Sequence, residues 1–185
     1  MKNSILLFLI LVITKTTFSQ TENPFQFIKI DNGQFVFEKI FTIDSLLSSK
    51  IDTSLQLFLP SQKGISNLKS QNQQIIANFN NLFIDYNKYD ANNHSIICSS
   101  PINANVTIQI KDGKYKVLVN SIVFNTTGPI LGSNQIVNKV MSAESIFLKN
   151  DQTDFRTRGD LIKIGQAIEH QFSEIFTIKF TNNDW

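Results

Sequence analysis

The stretch Val106 to Phe124, VTIQIKDGKYKVLVNSIVF, constrains the fold more than any other part of the chain. At its centre Asp112-Gly113 predicts a two-residue type I′ turn, because both central residues then adopt positive φ, which Gly takes freely and Asp tolerates. Fixing the turn fixes the pairing. Counting outwards, Lys111 faces Lys114, Ile110 faces Tyr115, Gln109 faces Lys116, Ile108 faces Val117, Thr107 faces Leu118 and Val106 faces Val119. Side chains alternate between faces along a strand. Ile110/Tyr115, Ile108/Val117 and Val106/Val119 therefore form one apolar ladder, and Lys111, Lys114, Lys116 and Gln109 lie on the other face. A slip of one residue would exchange the faces, so turn chemistry and hydrophobic pattern specify one register independently.

The amino terminus bears on compartment. Lys2 precedes the uninterrupted apolar run Ile5 to Ile13, and Thr17-Phe18-Ser19 offers small residues at the two positions a signal peptidase inspects. Residues 1–19 thus read as a secretory signal peptide cleaved at or close to Ser19, and residues 20–185 as a single α+β domain, with a core of about 34–125 and a C-terminal helical part of about 130–180. The apolar run falls short of the roughly 20 residues a transmembrane helix needs, and no later stretch reaches that length. The expected location is periplasmic or secreted. Cys98, the single cysteine, is far from the cleavage region, so it cannot take an N-terminal lipid, and alone it cannot form an internal disulfide. Removing the leader takes away Lys2 and Lys15 and no acid, which leaves the mature chain with equal numbers of basic and acidic residues. Nothing in that balance argues for nucleic acid or an anionic membrane surface.

Along the chain, Phe25, Phe27, Ile28 and Ile30 suggest an edge segment within Thr21 to Gly33. Gln34 to Ile43 is β-rich, with Phe35, Phe37, Phe41 and Ile43 on one face and Val36 and Ile40 on the other. Asp44 or Ser45 is placed to cap a helix through Leu47, Ile51, Leu55, Phe58 and Leu59, which Pro60 ends. Leu68, Ile75, Ile76, Phe79 and Leu82 recur at helical spacing and predict a second helix over Ser66 to Asn81. Leu82 to Tyr89 and His94 to Ser100 read as strands around the turn-prone run Asp90 to Asn93, continuing into the hairpin as an antiparallel meander. Asn134 to Leu148 and Thr157 to Ile178 read as helices, and Thr181 to Trp185 as a frayed tail. The expected fold is α+β, a curved antiparallel β-sheet with helices packed on one face.

The first strand FVFEKIFTIDSL, the segment ANNHSIICSS and above all IQIKDGKYKVLV resemble the domain of unknown function 4468. That is a family of exported bacterial proteins with a TATA-binding-protein-like fold. The resemblance covers roughly Phe35 to Phe124 and implies a β-α-β-β-β-β core with further helix. It implies no activity, because the family carries no assigned function, and a fold name alone does not import DNA binding.

Candidate chemistry is sparse. His94 and Cys98 stand four apart, and His170 follows Glu169 on another element, whereas a metal centre needs three or four convergent ligands. No metal and no cofactor is therefore expected. Cys98, beside Ile96 and Ile97, reads as a small buried hydrophobe. There is no G-x-S-x-G elbow and no Gly-rich phosphate loop. Asp85 and Asp90 are ordinary turn residues, and the N-x-S/T sequons at Asn93, Asn105 and Asn125 are matches an Asn-rich chain produces by chance. The remaining charge feature is Lys111, Lys114 and Lys116, read either as a patch for an anionic partner or as a solvated face whose lysines discourage edge-to-edge pairing.

The expectation is a non-enzymatic binding or structural protein of the cell envelope, with an envelope protein or a polysaccharide as partner and no nucleic acid. The alternative is a carrier or sensor of a small apolar ligand held between sheet and C-terminal helix, lined by Phe172, Ile175, Phe176, Ile108, Val117 and Tyr115. The same residues would equally fill a solid core. An enzyme would require His94 or His170 within reach of a carboxylate and a Ser, Thr or Cys in one pocket.

Overall fold

A computed structural model describes residues 23–92, 95–129 and 136–178. The expected leader (residues 1–19), Asn93, His94 and the expected tail from Thr181 lie outside the described residues. In chain order the elements are β1 (Ile28–Asp31), β2 (Gln34–Thr42), α1 (Ser48–Phe58), β3 (Ile65–Gln71), β4 (Gln74–Leu82), β5 (Ile102–Lys111), β6 (Lys114–Pro129), β7 (Ile136–Ser142), α2 (Ala143–Phe147) and α3 (Gly159–Phe176). The strands form one antiparallel sheet in the order β1-β2-β6-β5-β4-β3, with β7 paired to β6. Strand β6 is long enough to serve two neighbours on one side: residues 114–119 pair with β2 and residues 123–129 with β7, while β5 runs along its other side.

The expected register of the central hairpin is observed pair for pair, from Lys111 opposite Lys114 to Val106 opposite Val119. The turn itself differs. Gly113 takes φ 72°, but Asp112 is not among the positive-φ residues, so the turn has the φ signs of type II, with Gly at the second central position. The cause is tertiary. Gly113 donates its N–H to Leu46 O and accepts from Ile43 N–H, both at 2.8 Å, and Asp112 Oδ1 accepts Ser48 N–H at 2.7 Å. The turn is thereby docked on the entry to α1. The double positive φ of a type I′ turn occurs instead at Asn32-Gly33 and Asn72-Gln73, which close the β1–β2 and β3–β4 hairpins.

Three expectations are corrected. Ser66 to Asn81 is not a helix; it lies in the β3–β4 hairpin. The strands expected over Leu82 to Tyr89 and His94 to Ser100 are, where described and beyond Leu82, the last residue of β4, irregular chain with single 3₁₀ turns at Tyr86–Tyr89 and Ile96–Ser99. Within Asn134 to Leu148, residues Ile136–Ser142 form β7 and only Ala143–Phe147 is helical, started by Ser142, whose hydroxyl accepts Ser145 N–H. A four-strand meander therefore exists as expected, but its first pair sits earlier in the chain.

Bulges explain why the pattern misleads. Register shifts occur at Asn67 in β3, at Asn81 in β4 and at Ser121 in β6, each with φ near +53° (54°, 53° and 52°). One inserted residue changes strand parity. Leu82 consequently returns to the face of Ile75, Ala77 and Phe79, which gives a bulged strand the spacing of a helix.

The helices cover one face. Ile51 and Leu55 of α1, and Leu161, Ile164, Ile168 and Phe172 of α3, join Phe37, Ile75, Phe79, Val106, Ile108, Val117 and Val119 in one apolar core. Phe172 lies edge-on to Phe37 of β2 at 5.5 Å and stacks on Phe79 of β4 at 5.1 Å, so a single ring ties opposite sides of the sheet. Tyr115 donates its hydroxyl to Phe176 O at 2.5 Å, fixing the carboxyl end of α3. No described helix is long and apolar enough to cross a membrane.

Candidate binding face

Because the helices occupy one side, the other side of the sheet is left open. Alternation puts Thr107, Gln109 and Lys111 of β5 and Lys114, Lys116 and Leu118 of β6 there, as expected of the hairpin. Lys69 and Ile76 join from β3 and β4, and Glu38 and Ile40 from β2. Ile76 and Ile40 are 51% and 58% exposed.

At the turn end this face is basic. Lys111, Lys114 and Lys116 surround Ile40 and Gln109 in a depression of about 200 Å³. Lys116 Nζ lies 3.8 Å from Glu38 Oε2, which also accepts from Lys29 Nζ at 3.0 Å. Among the described residues no carboxylate lies within 4.0 Å of Lys111 or Lys114. Neighbouring Asp112 is engaged with Ser48, and those hydrogen bonds hold its carboxyl below the ordinary range.

The middle and far end are polar and nearly uncharged. Asn67 Nδ2 donates to Asn78 Oδ1 at 3.3 Å, Asn78 Nδ2 donates to Asn105 Oδ1 at 3.0 Å, and Asn120 stands opposite Asn105. Beyond this row, Phe83, Ser99, Pro101, Asn125, Asn138 and Val140 line a groove of about 570 Å³. Sequence reasoning missed these contributions because β4 and β7 read as helices. The alternation Ile75, Ala77, Phe79 and the turn-prone Asn72 were the available signals.

The other candidates do not converge on this face. His170 is exposed on α3 and stacks on Tyr89 at 5.6 Å, while adjacent Glu169 is 5% exposed and points inward. Glu169 Oε1 accepts the N–H groups of Phe27 and Ile28, closing the start of β1. Cys98 is half-buried in a 3₁₀ turn, with Sγ 3.7 Å from Ala91 O and 3.5 Å from Ser95 Oγ. Asp85 caps the preceding 3₁₀ turn through Lys88 N–H, and Asp90 takes the left-handed φ of 51° that ends it. Lys39 lies on the helix side between the rings of Phe27 (4.1 Å) and Phe41 (5.1 Å); desolvation lowers its pKa, against the pull of Glu169. The proposed lining of an internal ligand site, Ile108, Tyr115, Val117, Phe172, Ile175 and Phe176, is buried core. There the ring of Phe79 packs on those of Phe172 and Phe176.

No family model and no curated protein matches the chain. Two solved structures do. A TBP-like protein from Parabacteroides distasonis is similar with a TM-score of 0.56 at 16% identity, over 82% of this chain and 96% of that one. A DUF4468 family protein from Bacteroides ovatus is similar with a TM-score of 0.54 at 18% identity, over 80% of this chain and 85% of that one. The architecture is therefore TBP-like, a curved antiparallel sheet with helices on one face, and it agrees with the resemblance to domain of unknown function 4468 carried by the hairpin.

Proposed function

We propose that this protein is an exported, non-enzymatic binding protein of the cell envelope that holds an anionic partner against the basic end of its open sheet face. The supporting observation is Lys111 directly opposite Lys114. Like charges directly opposite each other on neighbouring strands are destabilising. Lysines that guard sheets against aggregation belong on edge strands. Here β5 and β6 are interior, each flanked by two neighbours, so edge protection does not account for the pair. An acidic polysaccharide or acidic protein surface would relieve the repulsion, and Ile40 beside the lysines offers apolar contact. Export rests on the leader sequence.

The test is affinity electrophoresis of residues 20–185 through gels containing alginate, at 50 and 200 mM NaCl. Wild-type protein should be retarded at the lower salt and less at the higher, because screening weakens exposed charge pairs. The Lys111→Glu/Lys114→Glu variant should migrate freely. Equal migration of the two proteins removes the basic end from consideration. Export is tested by the mass of the chain recovered from envelope fractions; an intact leader in the cytoplasm refutes it.

A further inference from the structure

We infer that the far end of the open face is a binding site for an uncharged oligosaccharide, with the Phe83 ring as platform for a sugar ring and side-chain amides as partners for its hydroxyls. Phe83 and Val140 are 63% and 64% exposed, and both line the 570 Å³ groove, a volume within the roughly 300–1,000 Å³ of ligand clefts. Amides and hydroxyls line the same groove. Asn125 of β6 stands opposite Val140 of β7, and Thr127 stands opposite Asn138, with Thr127 Oγ1 and Asn138 Oδ1 at 3.3 Å. Exposed apolar side chains set beside neutral hydrogen-bonding ones suit a pyranose, which has a C–H face and a hydroxyl rim.

Charge points the same way. Lys139 is the one charged residue among those lining the groove, and the adjoining depression of about 340 Å³ is lined by none. The lysines are segregated at the opposite end, where an anion would be drawn. The two neutral depressions lie next to each other along the chain register: Asn103 pairs with Val123 in one, and Asn125 N–H bonds to Pro101 O, at 2.9 Å, in the other. Together they cross from β3 to β7, four interstrand spacings or about 19 Å. That length suits an oligosaccharide better than a single ring.

The amides are also pre-oriented. Each Asn has two donors and an acceptor with two lone pairs, so the bonds from Asn67 to Asn78 and from Asn78 to Asn105 hold the side chains while leaving hydrogen-bonding capacity for a ligand. Groups already ordered lose less entropy on binding.

Affinity electrophoresis of residues 20–185 in gels containing dextran, galactomannan, xyloglucan or laminarin tests the assignment. The expected result is retardation by at least one of them, unchanged between 50 and 200 mM NaCl. Phe83→Ala and Asn138→Ala should each weaken it about tenfold, with Lys111→Glu/Lys114→Glu behaving as wild type. Both single substitutions fall on exposed side chains, and unchanged circular dichroism and thermal midpoint confirm the fold of each variant. Free migration in all four gels overturns the proposal. So does retardation that Phe83→Ala and Asn138→Ala leave intact, and so does retardation abolished only by the lysine variant, which would place all binding at the basic end.

Discussion

Gly165 shows how much one missing methyl matters. It lies inside α3, where glycine is the poorer helix former by about 1 kcal/mol. A Cβ at this position would stand 2.5 Å from Phe25 Cε1, and the Phe25 ring is itself held edge-on against Phe155 at 5.0 Å. Overpacking of this kind costs roughly 1–3 kcal/mol. Gly165→Ala should therefore lower stability by up to about 2 kcal/mol in urea unfolding, the overpacking cost less the helix gain, and a raised midpoint would mean that the ring yields freely. Glu169 is a second such residue: its buried carboxylate serves two backbone donors at the start of β1. Glu169→Ala should cost about 2–3 kcal/mol and speed hydrogen exchange at the Phe27 and Ile28 amides, while Glu169→Gln, which keeps an acceptor oxygen, should cost about half as much. Tyr115 sets a pH dependence. Burial, opposed by the backbone of Ile178, raises its hydroxyl from 10.0 to about 12. Its contribution is complete below pH 10, where both states are protonated, and is lost as pH rises from about 10 through about 12, where only the unfolded chain has ionised. Tyr115→Phe should flatten that part of the alkaline unfolding curve. Burial raises Tyr86 as well, so a residual alkaline loss should persist in the variant.

Elements in this fold are positioned by parts of the chain distant in sequence. The entry to α1 has no side-chain cap of its own, neither Asp44 nor Ser45 serving, and Asp112 from the β5–β6 turn supplies the acceptor for Ser48 N–H. Asp112→Asn keeps a turn-forming residue but loses the charge that faces the helix amino terminus. Hydrogen exchange in the first turn of α1 should then accelerate while the β5–β6 amides stay protected; loss of protection in both would mean that the residue serves the hairpin itself. The same contact shows what local reading sees and misses. The hairpin's pairing was legible because a two-residue turn and a period-2 pattern agree on one register. Its turn geometry was not, since the docked Ile43 to Ser48 segment selects it. The β3–β4 hairpin was misread for a related reason: a bulge at Asn81 gives Ile75, Phe79 and Leu82 helix-like spacing, and no single-strand pattern announces a bulge.

At the scale of the whole molecule, two faces of one sheet carry different duties. On the covered face Phe172 links β2 to β4, and Phe172→Ala should cost about 3–5 kcal/mol, a large part of the stability of a domain this size. On the open face Ile76→Ser should change stability by less than about 0.5 kcal/mol. Urea midpoints of the two variants check the contrast, and a comparable loss in both would mean that the open face is covered in solution. The sequence by itself determined the covered side: the apolar ladder, the α3 stripe and the central register follow from periodicity and turn residues within a few positions of each other, and so does the placing of Lys111, Lys114 and Lys116 on the opposite face. Only the tertiary structure decided the surface proposed for binding. The asparagine row and the Phe83 groove draw on β3 to β7 and on irregular chain, and no local period encodes which strands become neighbours or which face the helices leave bare.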